Sequence, residues 1–137
     1  MIEIFIPGPV KGKARARTVR NKYNGKTVSY TPDGTVLYEN LIKELYLNKS
    51  GHFFEGPLEI IVEASFAPPK SASKKKAGQM LSGEVVPEKK PDIDNIIKVV
   101  CDALNGIAYH DDKQIISVTA KKQYAAKDGL YIAIAEA

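Results

Sequence analysis

The chain of 137 residues contains a single cysteine, Cys101, so no disulfide can form within it, which fits a reducing compartment. No apolar run approaches the roughly 18 residues that a membrane span needs. Met1 to Ile6 has no basic stretch ahead of a long apolar run, so it does not read as a secretory signal, and a cytoplasmic location is expected. His52, His110 and Cys101 lack the spacing of a zinc site, and Cys101 reads as packing. There is no internal repeat, and the length argues for one domain over 1–137 that can stabilise its own core. The most informative absence is acid. From Pro9 to Lys26 the chain carries Lys11, Lys13, Arg15, Arg17, Arg20, Lys22 and Lys26 with no Asp or Glu among them. A second basic cluster holds Lys70, Lys74, Lys75, Lys76, Lys89 and Lys90. A net charge of +4 says little by itself, but charge segregated in this way is the footprint of a phosphate-backbone binder.

Alternation of apolar residues marks strands at Ile2–Ile6, at Leu58–Phe66, at Ile116, Val118 and Ala120, and at Leu130, Ile132 and Ile134. Asn24-Gly25 suggests a hairpin between two short strands within the basic stretch. Thr31-Pro32-Asp33-Gly34 reads as a turn into a helix whose apolar stripe is Leu37, Leu41, Ile42 and Leu45, closed by Ser50-Gly51. Residues 70–90 read as a lysine-rich insertion, mobile in part, with a short helix capped by Ser71 or Ser73 and running to about Leu81. The element order suggests an α+β fold, a single-domain two-layer sandwich with a mixed sheet and helices on one face.

Chemistry concentrates in residues 91–114. Asp92 is a natural N-cap, and Ile93, Ile96, Ile97, Val100 and Leu104 make a helical stripe that Gly106 ends. Asp94, Lys98 and Asp102 share the opposite face, because each step of four residues overshoots a full turn by only about 40°. Two carboxylates and a lysine thus gather near a helix N-terminus, where free N–H groups favour phosphate oxygens. A plainer reading is equally open at this point: Asp complements the helix dipole, and Asp94–Lys98 is an ordinary i,i+4 pair. Asp111-Asp112 is likewise either a turn former or an acid that folds back towards Asp92 and Asp94. Asp102 reads as a structural or ion-pairing acid.

Pro-Asp-Ile-Asp-Asn-Ile-Ile-Lys at 91–98, Asp-Ala-Leu-Asn-Gly at 102–106 and Asp-Asp-Lys-Gln at 111–114 resemble the signature of the RusA family of Holliday-junction resolvases. That resemblance implies a metal-dependent endodeoxyribonuclease, acting as a homodimer on four-way or branched DNA in recombination and repair. It implies that Asp92, Asp94 and Asp112 hold Mg²⁺, for which Mn²⁺ can substitute, and that Lys98 completes the catalytic set. Lys11, Lys13, Arg15, Arg17, Lys74, Lys75, Lys76, Lys89 and Lys90 are the expected DNA contacts, although a lysine run such as 74–76 also suits a solvated helix face. Tyr23 and Tyr30 are candidates for base stacking, with packing the commoner role. Two rival readings are a non-catalytic DNA-binding module and a restriction-type duplex nuclease, whose usual acid-x-Lys spacing is missing here.

Overall fold

The computed structural model describes residues 1–30 and 32–137. Thr31, expected in the turn before the first helix, and the side chain of Tyr30 lie outside the described residues. The elements are β1 (Ile2–Pro7), β2 (Arg17–Arg20), β3 (Thr27–Tyr30), α1 (Asp33–Lys49), β4 (Leu58–Phe66), α2 (Lys74–Ser82), α3 (Ile93–Leu104), β5 (Ile115–Tyr124) and β6 (Gly129–Glu136).

Four strands form one sheet in the order β1-β6-β4-β5. β4 runs parallel to β5, and the other two pairings are antiparallel, so the sheet is mixed. In β4 the residues Leu58, Ile60, Val62, Ala64 and Phe66 are all buried while their neighbours point the other way, the period-2 pattern of a strand with one covered face. Register carries the same face across the sheet: Val62 sits opposite Ile132, which in turn sits opposite Ile4. α1 and α3 cover this face and share one apolar core with it, giving the expected two layers. β2 and β3 stand apart as a separate two-stranded sheet around the Asn24-Gly25 turn.

Three stripes differ from expectation. In α1 the buried residues are Thr35, Tyr38, Ile42 and Tyr46, while Leu37 is 68% exposed. Tyrosines bury more area than leucines, and the Tyr46 hydroxyl donates to the His52 carbonyl, so the helix turns its aromatic side inward. In α3 the stripe rotates to Ile96, Val99, Val100, Ala103 and Leu104, leaving Ile93 exposed. Packing against both α1 and β5 demands a wider apolar face than the Ile93–Ile97 line supplies. In β5 a register shift beside Leu58 makes Ile115 its partner and turns Ile116 out to solvent.

The basic insertion does contain a helix: the Ser73 hydroxyl accepts from the Lys76 N–H at 3.1 Å and α2 ends on left-handed Gly83. Among the described residues no helix is long and apolar enough to cross a membrane.

Candidate functional site

α3 begins where the loop after β1 crosses it. A Cβ on Gly12 would lie 2.9 Å from the Cβ atoms of both Asn95 and Pro91, so only glycine lets the loop lie flat there. The next residue fastens the crossing: the Lys13 N–H donates to the Asn95 carbonyl at 2.9 Å. A groove of about 370 Å³ opens at this crossing, lined by Gly12, Lys13, Lys90, Pro91, Asp92 and Asn95. Asp92 occupies the N-cap position as expected, but its carboxylate makes no capping hydrogen bond. It is exposed, as is Asp94 in the first turn, so both carboxylates remain available.

After α3 the backbone turns on Gly106, whose φ of 77° is the left-handed geometry expected of it. Three ties then hold the following residues. The Tyr109 hydroxyl, in a fully buried side chain, donates back to the Cys101 carbonyl at 2.6 Å. The Phe54 N–H donates to the Ala108 carbonyl at 2.7 Å. Gln114 clamps the turn from both ends of its amide: Oε1 accepts from the N–H groups of His110 at 2.7 Å and Asp111 at 3.1 Å, and Nε2 donates to the carbonyls of Phe54 and Gly56, each at 3.0 Å. With the Asp111 carboxylate accepting from the Lys113 N–H, this is a capping box on the short 3-10 turn Asp112–Gln114. His110 leans on the turn from outside, its Nε2 2.6 Å from Glu55 and its ring edge-on to Phe53.

The clamped turn delivers Asp112 to the side of α3. Its carboxyl is held above the ordinary aspartate value, first by a hydrogen bond with Asp111, then by burial and by the charges of Asp111 and Asp102, with Lys98 pulling the other way. Asp111 is held below the ordinary value by that same hydrogen bond and by the Lys113 N–H. The Cys101 thiol is pushed up to about 11 by burial and by Asp112 and Asp102, so it is a neutral packing group at neutral pH. Lys98, 62% exposed, has its ammonium 3.7 Å from Asp102. The pairing on this ridge is therefore Lys98–Asp102, not the Asp94–Lys98 pair anticipated from spacing.

Among the described residues no three acidic, histidine or cysteine side chains are grouped to hold a metal ion, and the charges that act most on Asp112 are Asp111, Asp102 and Lys98, not the Asp92 and Asp94 towards which it was expected to fold. The chemistry of the donor set nonetheless fits a hard divalent cation. All the candidates are carboxylates, and Asp92, Asp94 and Asp112 are exposed with Asp92 making no capping hydrogen bond.

The model of the family described as Endodeoxyribonuclease RusA matches residues 7–135. The chain belongs to the RusA family. Uncharacterized protein YqaN of Bacillus subtilis (strain 168) is 37% identical over 83 residues, which are 59% of this chain and 58% of that protein. The chain thus matches a little over half the length of that relative.

In this RusA-family chain the basic residues separate by what they touch. Lys13 departs from the expected DNA contact. Its side chain is only 18% exposed, and its ammonium lies 2.5 Å from Glu39 of α1 and 3.3 Å from Asp102 of α3. Burial opposes that charge, but the two carboxylates outweigh burial and raise its pKa above 10.5. Asp102 accordingly is an ion-pairing acid shared by Lys13 and Lys98. The Lys89 ammonium stands 5.0 Å over the Phe66 ring. Lys11, Arg15, Arg17 and Lys90 are exposed, and Lys90 lines the groove. Lys74, Lys75 and Lys76 are exposed in the first turn of α2, where positive charge opposes the helix dipole and so adds nothing to helix stability. Gln114 was not singled out from sequence, although Asp111-x-x-Gln114 carries the capping-box spacing that finds it.

Proposed function

We propose that this chain is a metal-dependent endodeoxyribonuclease that resolves Holliday junctions by paired, symmetric phosphodiester hydrolysis, as a cytoplasmic homodimer in recombination and repair. Membership of the RusA family supports the nuclease class. The observation that carries the reading is the clamped turn after α3, which sets Asp112 against the face that bears Lys98.

In this reading Asp92, Asp94 and Asp112 hold Mg²⁺, with Mn²⁺ as a substitute. Two carboxylates about 4 Å apart repel by roughly 4 kcal/mol at an effective dielectric near 20, a cost that a bound cation reverses. When bound, the ion supplies an activated water and neutralises phosphate charge. Lys98 extends from the same ridge into solvent and stabilises charge on the attacked phosphate. Lys11, Arg15, Arg17, Lys90 and the α2 lysines bind flanking phosphates, which makes affinity salt-dependent. A four-way junction has approximate two-fold symmetry, which a two-fold homodimer matches with one site per cleaved strand.

The test is incubation with a synthetic four-way junction in Mg²⁺ and in EDTA. Paired nicks in opposing strands, in Mg²⁺ only, are expected. Absence of metal-dependent nicking on every branched substrate rejects the proposal, and efficient cutting of linear duplex favours the restriction-type alternative.

A further inference from the structure

Every residue from Arg15 to Ser29 is exposed, Val19 and Val28 among them, and Tyr23 at the tip of the β2–β3 hairpin is 100% exposed. Within the chain Tyr23 therefore packs against nothing, contrary to the packing role anticipated for it. The tip is ordered by its own bonds: the Asn21 N–H donates to the Lys26 carbonyl at 2.8 Å, and the Asn21 side chain accepts from the Tyr23 N–H at 2.8 Å. A lone two-stranded hairpin is at best marginally stable in water, and an aromatic ring held wholly in solvent contributes nothing to folding.

The charges say what the hairpin meets. Arg15, Arg17, Arg20, Lys22 and Lys26 lie in or beside it, with no acid from Pro9 to Lys26. Successive residues face opposite ways, so Arg17 and Val19 share one face while Thr18 and Arg20 share the other. A ribbon lying on a single duplex would use cations on one face only. This ribbon carries them on both, as suits a place between two arms of a branch.

Building on the junction-cleaving reading, we propose that the β2–β3 hairpin inserts at the DNA branch point, with Arg17 and Arg20 on phosphates of different arms and Tyr23 stacked on a base left open where the strands part. A two-stranded ribbon is narrow enough to enter a major groove, and every base offers a face for aromatic stacking.

The test is fluorescence anisotropy in EDTA, where no cutting occurs, with a labelled four-way junction and a linear duplex of the same arm sequence. Tyr23→Ala should weaken junction binding roughly 5- to 100-fold, the loss typical of one stacked base, and change duplex binding by less than about twofold. Tyr23→Phe, which keeps the ring, should restore junction affinity. Thermal melting should match in all three proteins, since the ring touches nothing. Junction preference unchanged in Tyr23→Ala, equal loss on junction and duplex, or failure of Tyr23→Phe to rescue overturns this inference alone. Wild-type protein that does not distinguish junction from duplex overturns the junction reading, and this one with it.

Discussion

The turn from Gly106 to Gln114 and the hairpin from Arg15 to Ser29 are both short, polar connections between longer elements, yet they are held in opposite ways. The turn is tied to α3 by Tyr109, and to the 54–56 segment by Phe54 and Gln114. The hairpin is tied along its length to itself, and all of its residues face water. The contrast follows the charges each carries. On the proposed reading Asp112 takes part in chemistry at a phosphate, which tolerates little misplacement, so it needs a rigid mount. The hairpin arginines, which on the same reading grip a phosphate backbone, act over longer distances and need only reach it.

The strongest way to break the comparison is at the ridge. Asp112→Asn, or Lys98→Ala, should lower cleavage of a four-way junction about 100-fold or more while leaving junction affinity in EDTA nearly intact. Equal loss of cleavage and binding would make these residues part of the grip.

Next in size is the clamp itself. Gln114→Ala strips two carbonyls and two N–H groups of their partner, and should cost about 1–3 kcal/mol in chemical denaturation and reduce cleavage with it. Gln114→Glu keeps the acceptor half of the clamp and should fall between wild type and the alanine variant; full cleavage by Gln114→Ala would show that Asp112 does not depend on this mount.

Lys13→Met tests the reassignment of a cation from grip to frame. It should destabilise the fold by about 1–3 kcal/mol and change junction affinity by less than about twofold. The pH dependence has a definite sign. The folded pKa of Lys13 is raised above 10.5, so its contribution is complete below that unfolded value and is lost as pH climbs through the folded one. Denaturation curves of wild type and Lys13→Met should therefore converge above pH 10.5.

The smallest effect is expected at Arg17. Arg17→Gln should lower the slope of log affinity against log salt by about 0.9, one phosphate contact, with no change in melting temperature. An unchanged slope would remove Arg17 from the DNA.

Much of this frame was legible beforehand, and for local reasons. The strands at Ile2–Ile6, Leu58–Phe66 and Leu130–Ile134 declare themselves by alternation and Gly106 by its place after a helix, while the cap of α2 was narrowed to Ser71 or Ser73, of which the structure selects Ser73. Helix faces were harder. α1 contains a leucine line and a tyrosine line, and helical periodicity cannot rank them, because only the sheet and α3 decide which side is covered. The stripe of α3 was misread in the same way at Ile93, and Ile116 was misplaced by a register shift that no pattern within β5 announces. Within the site, the Asp-x-Asp helix start and the Asp-Asp turn were visible as spacing. The partners of the basic residues were not: Lys13 meets Glu39 and Asp102, both far from it in sequence.

By itself the sequence determined where chains turn, where helices start and stop, which strands have a single apolar face, and that acids and bases are segregated. Those properties depend on neighbours within a turn or two and on the side chains' own chemistry. Tertiary structure alone decided that Lys13 is frame, that Tyr23 stands clear in solvent, and that Gln114 holds Asp112 against α3. Each of these is an encounter between distant segments, and its outcome is set by burial and charge summed over whole packed elements, which no local pattern contains.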